Sequence, residues 1–158
     1  MPIYFYSDHE APYGAFSNFS KHGFTLDGKY WKTSEHYFQA QKFVGTPHEE
    51  EVRNAPAPKD AADWGRQRSR PLRTDWEEVK DDVMRRALHA KFTQHPTLPD
   101  LLLGTGDEEI VENAPGDYYW GCGKDGSGRN RLGALLMELR TALRREAEEK
   151  TTKTTDDD

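Results

Sequence analysis

The sequence carries one cysteine, Cys122. A disulfide framework and a cysteine-based zinc site are therefore both excluded. The histidines, His9, His22, His36, His48, His89 and His95, show no metal spacing such as H-E-x-x-H, and no serine lies in a G-x-S-x-G context. Neither metal-dependent nor serine-based hydrolysis is expected, and no cofactor is called for. No apolar run approaches the ~20 residues of a membrane span. The opening segment, Met1 to Asp8, lacks the charged and apolar regions of a signal peptide, so the cytoplasm is the expected location. Internal repeats are absent too.

What is present is polar but foldable. Hydrophobic residues make up 34% and charged residues 32%, while the aromatic share of 11% includes four Trp and seven Phe, enough for a compact core built on rings. The net charge of −6 argues against a general attraction to nucleic acid or to anionic membrane. Part of that charge lies in a tail with no apolar residue after Ala147. The expected organisation is one domain over residues 1–148 and a disordered acidic tail over 149–158.

Local patterns predict an α+β fold, a small sheet with a hairpin surrounded by helices. Residues 3–6 read as a strand. Gly23 to Trp31 alternates around Asp27-Gly28, a two-residue hairpin signal. Thr33 or Ser34 can cap a helix running to about Val44. Thr46-Pro47-His48-Glu49 is a capping box opening a short helix through Asn54, and Pro58 starts another that ends near Gly65. Gln67 to Arg73, rich in arginine, reads as an exposed loop. Asp75-Trp76-Glu77-Glu78 is a second capping box, and its helix carries Trp76, Val79, Val83, Ala87 and Ala90 on one stripe. Pro96 and Pro99 bracket a turn into Leu101-Leu102-Leu103. Ile110 to Glu112 reads as a strand, residues 113–131 as a long irregular stretch, and Arg131 to Glu148 as a helix with Leu132, Leu135, Leu136, Leu139 and Leu143 inward.

Three stretches could carry chemistry. On the helix after the hairpin, Glu35, Gln39 and Lys42 are spaced four and three and share a face. From spacing alone, a solvated Glu–Lys face is the favoured reading. The second stretch runs from Asp117 through Trp120-Gly121-Cys122-Gly123 to Gly126, Gly128, Arg129, Asn130 and Arg131. Its glycines and the following helix start suit phosphate, and a loop that merely caps the last helix is an equal alternative. Its formal G-x-G-x-x-G lacks the βαβ context of a dinucleotide site. In the third, Asn18 between Phe16 and Phe19 reads first as a turn residue. Trp31 and Trp120 can stack on a base or fill the core.

Taken together, these segments resemble the NADAR family. The resemblance rests on Phe16-Ser17-Asn18-Phe19, Asp27-Gly28, Trp31 and Thr33 to Phe43. It continues through Trp76-Glu77, Val83-Met84, Ala90-Lys91-Phe92, Leu102-Leu103, Thr105-Gly106, Val111-Glu112, Asp117, Trp120-Gly121, Asn130 and Leu132-Gly133. It spans about residues 4 to 144 in the family's order. The resemblance implies hydrolysis of an N-glycosidic bond between a phosphorylated ribose and a base. The implied substrates are aminopyrimidine phosphoribosides, intermediates of riboflavin biosynthesis, or ADP-ribosylated guanine. Nucleic acid enters only as an ADP-ribosylated substrate, and no membrane partner is expected. A rival reading is a non-catalytic module binding ADP-ribose or a nucleotide.

Such a reaction builds positive charge at C1′ and electron density on the departing base, so it needs a carboxylate and a proton donor. Glu35 or Asp117 can supply the carboxylate. Lys42 can donate to the leaving group or, as a neutral amine, attack the opened sugar. The base would lie against Trp31, Tyr37 or Trp120. Phosphates would sit on the loop from Gly121 to Arg131, sugar hydroxyls on Asn18 and Asn130, and Gln39 would join the residues that bind substrate.

Overall fold

A computed structural model describes the backbone of residues 1–156 and the side chains of residues 1–151. The architecture is α+β, with six α-helices and two separate two-stranded sheets among the described residues. Contacts divide the chain into two compact units, Tyr6–His95, and Met1–Phe5 together with the chain from Pro96 onward. No described helix is long and apolar enough to cross a membrane.

The unit Tyr6–His95 starts with a short 3-10 helix, Tyr13–Phe16, which the local patterns did not signal. A hairpin follows, β1 (Phe24–Leu26) and β2 (Lys29–Trp31), antiparallel with Phe24 opposite Trp31. Asp27 and Gly28 both take positive φ, 56° and 76°, as the tight turn of a twisted hairpin requires. The Asp27 carboxylate accepts from the Tyr37 hydroxyl at 2.9 Å and pairs with Arg86, fastening the hairpin tip to two helices.

Helix α1 (Ser34–Gln41) is the centre of this unit and packs against α2 (Pro47–Arg53), α3 (Pro58–Gly65) and α4 (Trp76–Gln94). Thr33 caps α1, its Oγ1 accepting from the His36 amide at 3.1 Å. His36 Nε2 faces the Ala55 carbonyl at 3.0 Å and Nδ1 faces Thr33 Oγ1 at 2.8 Å. Burial lowers the His36 pKa, and a ring donating at Nε2 and accepting at Nδ1 is neutral. The helix stops at Gln41, short of the expected Val44. Its C-terminal carbonyls are taken by Arg73, whose amide donates to Lys42 O at 3.1 Å and whose Nη1 donates to Gln41 O at 3.3 Å. Asp75 does not cap α4 with its side chain. Its carboxylate holds the Arg73 guanidinium instead, with contacts of 2.6 and 3.0 Å. Phe16, Phe24, Trp31, Tyr37, Phe43 and Phe92 are buried among Met84, Leu88 and other apolar side chains, the ring-rich core that the composition implied.

In the other unit, β3 (Ile3–Phe5) pairs in parallel with β4 (Ile110–Glu112). The stretch expected as a turn around Pro99 is helix α5 (Thr97–Leu103). Pro99 lies in its first turn, where no helical N–H partner is lost. Helix α6 (Arg131–Asp156) buries Leu132, Leu135, Leu136, Leu139 and Leu143. Its backbone runs past the expected end at Glu148, through most of the segment expected as a disordered tail. Asp157 and Asp158 lie outside the described residues.

Candidate active site

The polar row on α1 is not a solvated face. Glu35, Gln39 and Lys42 are only 8%, 3% and 8% exposed. Burying an acid, an amide and a cation on one helix is costly unless each is held by specific partners. Gln39 Nε2 donates to Glu35 Oε1 at 2.8 Å, one helical turn back. The Glu35 amide donates to the Asn18 carbonyl at 3.1 Å, and Ser34 Oγ donates to Asn18 Oδ1 at 2.8 Å. Asn18 therefore fixes the start of α1, next to Glu35.

Gln39 Oε1 is buried with no hydrogen-bond partner among the described residues. It lies over Gly65, where a Cβ would come within 2.0 Å of it. The glycine leaves the space that lets the amide turn toward Glu35. The Gly65 carbonyl then serves two cations. Lys42 Nζ donates to it at 3.4 Å and Arg68 Nη2 at 2.8 Å. Lys42 Nζ also lies 5.9 Å and 5.8 Å from the Phe38 and Trp76 ring centres. Burial first, then the charges of Arg68 and Arg66, push the Lys42 pKa down to about 8, against an opposing pull from Glu35. The result is an amine poised to exchange a proton near neutral pH, beside a carboxylate.

A second buried amine, outside the expected site residues, stands on α4. Lys91 on α4 is wholly buried and donates to the Ser17 carbonyl at 3.0 Å. Burial pushes its pKa down to about 7. It anchors the backbone immediately before Asn18. Its signal in the sequence is its place on the face of Met84, Ala87 and Leu88, seven, four and three residues back on the same helix.

Other expected site residues have structural tasks. Trp31 and Tyr37, proposed to stack on a base, are wholly buried and meet edge to face at 5.0 Å. The Trp31 indole N–H donates to Leu26 O at 2.9 Å. Both fill the core and leave no ring surface for a ligand. In the other unit, Asp117 Oδ1 accepts from the amides of Tyr119 and Trp120 at 2.9 and 2.7 Å. Trp120 is half-buried with Tyr119 at its edge, and of the three stacking candidates it alone keeps open ring surface.

The glycine-rich stretch does not hold its amides out for an anion. Gly123 N donates to Ala114 O, Gly128 N to Cys122 O, Arg129 N to Tyr118 O, and Asn130 N to Gly121 O. At the start of α6, Arg131 N and Leu132 N donate to the carbonyls of Tyr119 and Trp120. Gly121 is required for close packing, since a Cβ there would meet Ala114 Cβ at 2.9 Å and Glu112 O at 3.0 Å. Asn130, expected to hold a sugar hydroxyl, spends both ends of its amide on β4. Its Oδ1 accepts from Glu112 N at 2.9 Å and its Nδ2 donates to Ile110 O at 2.8 Å. This stretch thus braces the start of α6 against β4.

Comparison with known proteins agrees with this architecture. The NADAR domain model matches residues 4–144. The N-glycosidase YbiA of Escherichia coli is 55% identical over 141 residues, covering 89% of this chain and 88% of the relative. A solution NMR structure of the E. coli protein YbiA aligns with a TM-score of 0.87 at 53% identity, covering 94% of this chain and 88% of the other. The riboflavin biosynthesis protein PYRR of Zea mays is 44% identical over 146 residues, 83% of this chain but 23% of that longer protein. The chain belongs to the NADAR family. Within that family it is an enzyme of the N-glycosidase class.

Proposed function

We propose that this enzyme hydrolyses the N-glycosidic bond of a phosphorylated riboside in the cytoplasm, with aminopyrimidine phosphoribosides of riboflavin biosynthesis as the favoured substrates and ADP-ribosylated guanine as the second class. The observation that carries the reading is the buried row Glu35–Gln39–Lys42, an acid, an amide one turn on and an amine two turns on at the helix end, all held out of water. The name of the maize relative supports the choice between substrates.

In this reading Glu35 faces C1′, where its charge offsets the oxocarbenium-like state or activates the attacking water. Gln39 holds the carboxylate in place, and the amide N–H2 of Asn18 is offered to a sugar hydroxyl. Lys42 donates a proton to the departing base. The burial that depresses its pKa also favours a second role, attack of the neutral amine on the opened sugar to give a Schiff base. Borohydride added during turnover separates the roles. A reduced sugar adduct on Lys42 supports covalent attack, and an unmodified Lys42 supports proton donation.

The proposal is tested by incubating the protein with an aminopyrimidine riboside 5′-phosphate and, separately, with ADP-ribosylated guanosine, and following free base by chromatography. Release from the phosphoriboside is expected. Release from neither compound would overturn the substrate assignment.

A further inference from the structure

The unit Tyr6–His95 contains seven arginines. Five hold carboxylates: Arg53 pairs with Glu50, Arg70 with Glu51, Arg73 with Asp75, Arg85 with Asp82 and Arg86 with Asp27. Arg66 and Arg68 pair with no carboxylate among the described residues, and both are exposed. They stand at and just beyond the C-terminal end of α3, and Arg68 shares the Gly65 carbonyl with buried Lys42. Two cations meeting at one oxygen, with a third two residues away in sequence, is a repulsive arrangement. With the other five guanidiniums of this unit neutralised, these two are left for an anion from outside. The guanidinium fork matches the oxygens of a phosphate.

We propose that Arg66 and Arg68 form the phosphate subsite of this enzyme and bind the phosphate carried on C5′ of the substrate ribose. This deepens the phosphoriboside reading above and rests on it. The subsite lies beside Lys42, so a ribose whose phosphate is held by the two guanidiniums presents its ring toward the Glu35–Lys42 row. The alternative place for the phosphate, the loop from Gly121, has most of its amides already committed to acceptors within the protein. The same subsite would take either a phosphomonoester or the ribose-proximal phosphate of an ADP-ribosyl group.

The test is calorimetric titration of the full chain, wild type and Arg66→Gln/Arg68→Gln, with ribose 5-phosphate and with ribose, alongside turnover on the two riboside substrates. Wild type is expected to bind ribose 5-phosphate more tightly than ribose. The double variant is expected to lose at least about tenfold in ribose 5-phosphate affinity, as befits charge-assisted contacts, and nothing in ribose affinity. Unchanged ribose 5-phosphate binding would overturn the proposal, and so would an equal loss for ribose. A loss confined to a single-stranded oligonucleotide, with ribose 5-phosphate unaffected, would also overturn it and assign the arginines to a nucleic-acid backbone. Wild-type binding of ribose 5-phosphate through these arginines without release of base from either riboside would retain the subsite and remove the substrate assignment. Loss of turnover in parallel on both substrates marks a shared subsite, and loss on one alone identifies which phosphate it serves.

Discussion

Gln39 and Gly65 are in contact through an absence: the glutamine's carbonyl oxygen occupies the space a Cβ of residue 65 would need, 2.0 Å from that position. The other end of the same amide holds Glu35 Oε1 at 2.8 Å. The geometry of the carboxylate therefore depends, through Gln39, on the missing side chain of residue 65.

Gly65→Ala is expected to push Gln39 off Glu35 and lower kcat roughly a hundredfold, the scale of an ångström-sized misplacement of a reacting group. The effect should act through Gln39. In a Gln39→Gly background, which also removes the Cβ that would stand 2.9 Å from the new methyl, steady-state kinetics should show Gly65→Ala adding little further loss. Independent, multiplicative penalties in the double variant would contradict this route.

Glu35→Gln and Lys42→Ala are each expected to reduce kcat by at least about a hundredfold, within the range for positioned acid–base groups. Circular dichroism should show both variants folded. Turnover near wild type in both would leave the buried row without a catalytic task.

The Lys42 pKa of about 8 should appear as an ionisation in the pH profile of kcat/KM. Arg68 is the largest charge holding that value down. Replacing it with Gln removes a repulsion from the ammonium, so the pKa must rise and the ionisation must move to higher pH. A profile that stays fixed in Arg68→Gln would show that the group titrating there is not Lys42.

Lys91 predicts a pH dependence of stability. Its folded pKa of about 7 lies below the ~10.4 of a free lysine, so between these values the unfolded chain binds the extra proton. Stability attributable to Lys91 is therefore greatest above the unfolded value and is lost as pH falls toward 7, by up to about 1.4 kcal/mol per pH unit. Urea midpoints measured from pH 7 to 10 should rise with pH in the wild type, and the slope should flatten in Lys91→Met. Equal slopes would mean that Lys91 is not buried in the folded protein.

Much of this was legible in the residues themselves. Asp27-Gly28 announced a turn that needs two positive φ values, and Thr46 with Pro47 announced the start of α2. The α+β class followed from the same local signals. The state of the Glu35–Lys42 row was not legible, because a spacing of four and three on a helix is the same for a solvated face and a buried one. Only the elements packed around α1 decide between them. The glycine-rich stretch misled for a related reason. Gly121 and Gly128 are needed for close approach of backbone and side chains, and the amides near them close on the protein rather than on an anion. Arg66 and Arg68 were visible only as members of an arginine-rich run. Their distinction from Arg70 and Arg73 lies in which of them find a carboxylate, and that depends on the fold.

Asn130 has a consequence for how the protein behaves among its own copies. A strand paired on one side only offers its other side to any extended chain that passes. On β4 that vacancy is closed by a single side-chain amide, which imitates the donor and acceptor of a neighbouring strand, with the Cys122 amide taking the Glu112 carbonyl next to it. Along β4 a third strand has nowhere to attach, because the protein's own loop and the start of α6 already occupy that edge.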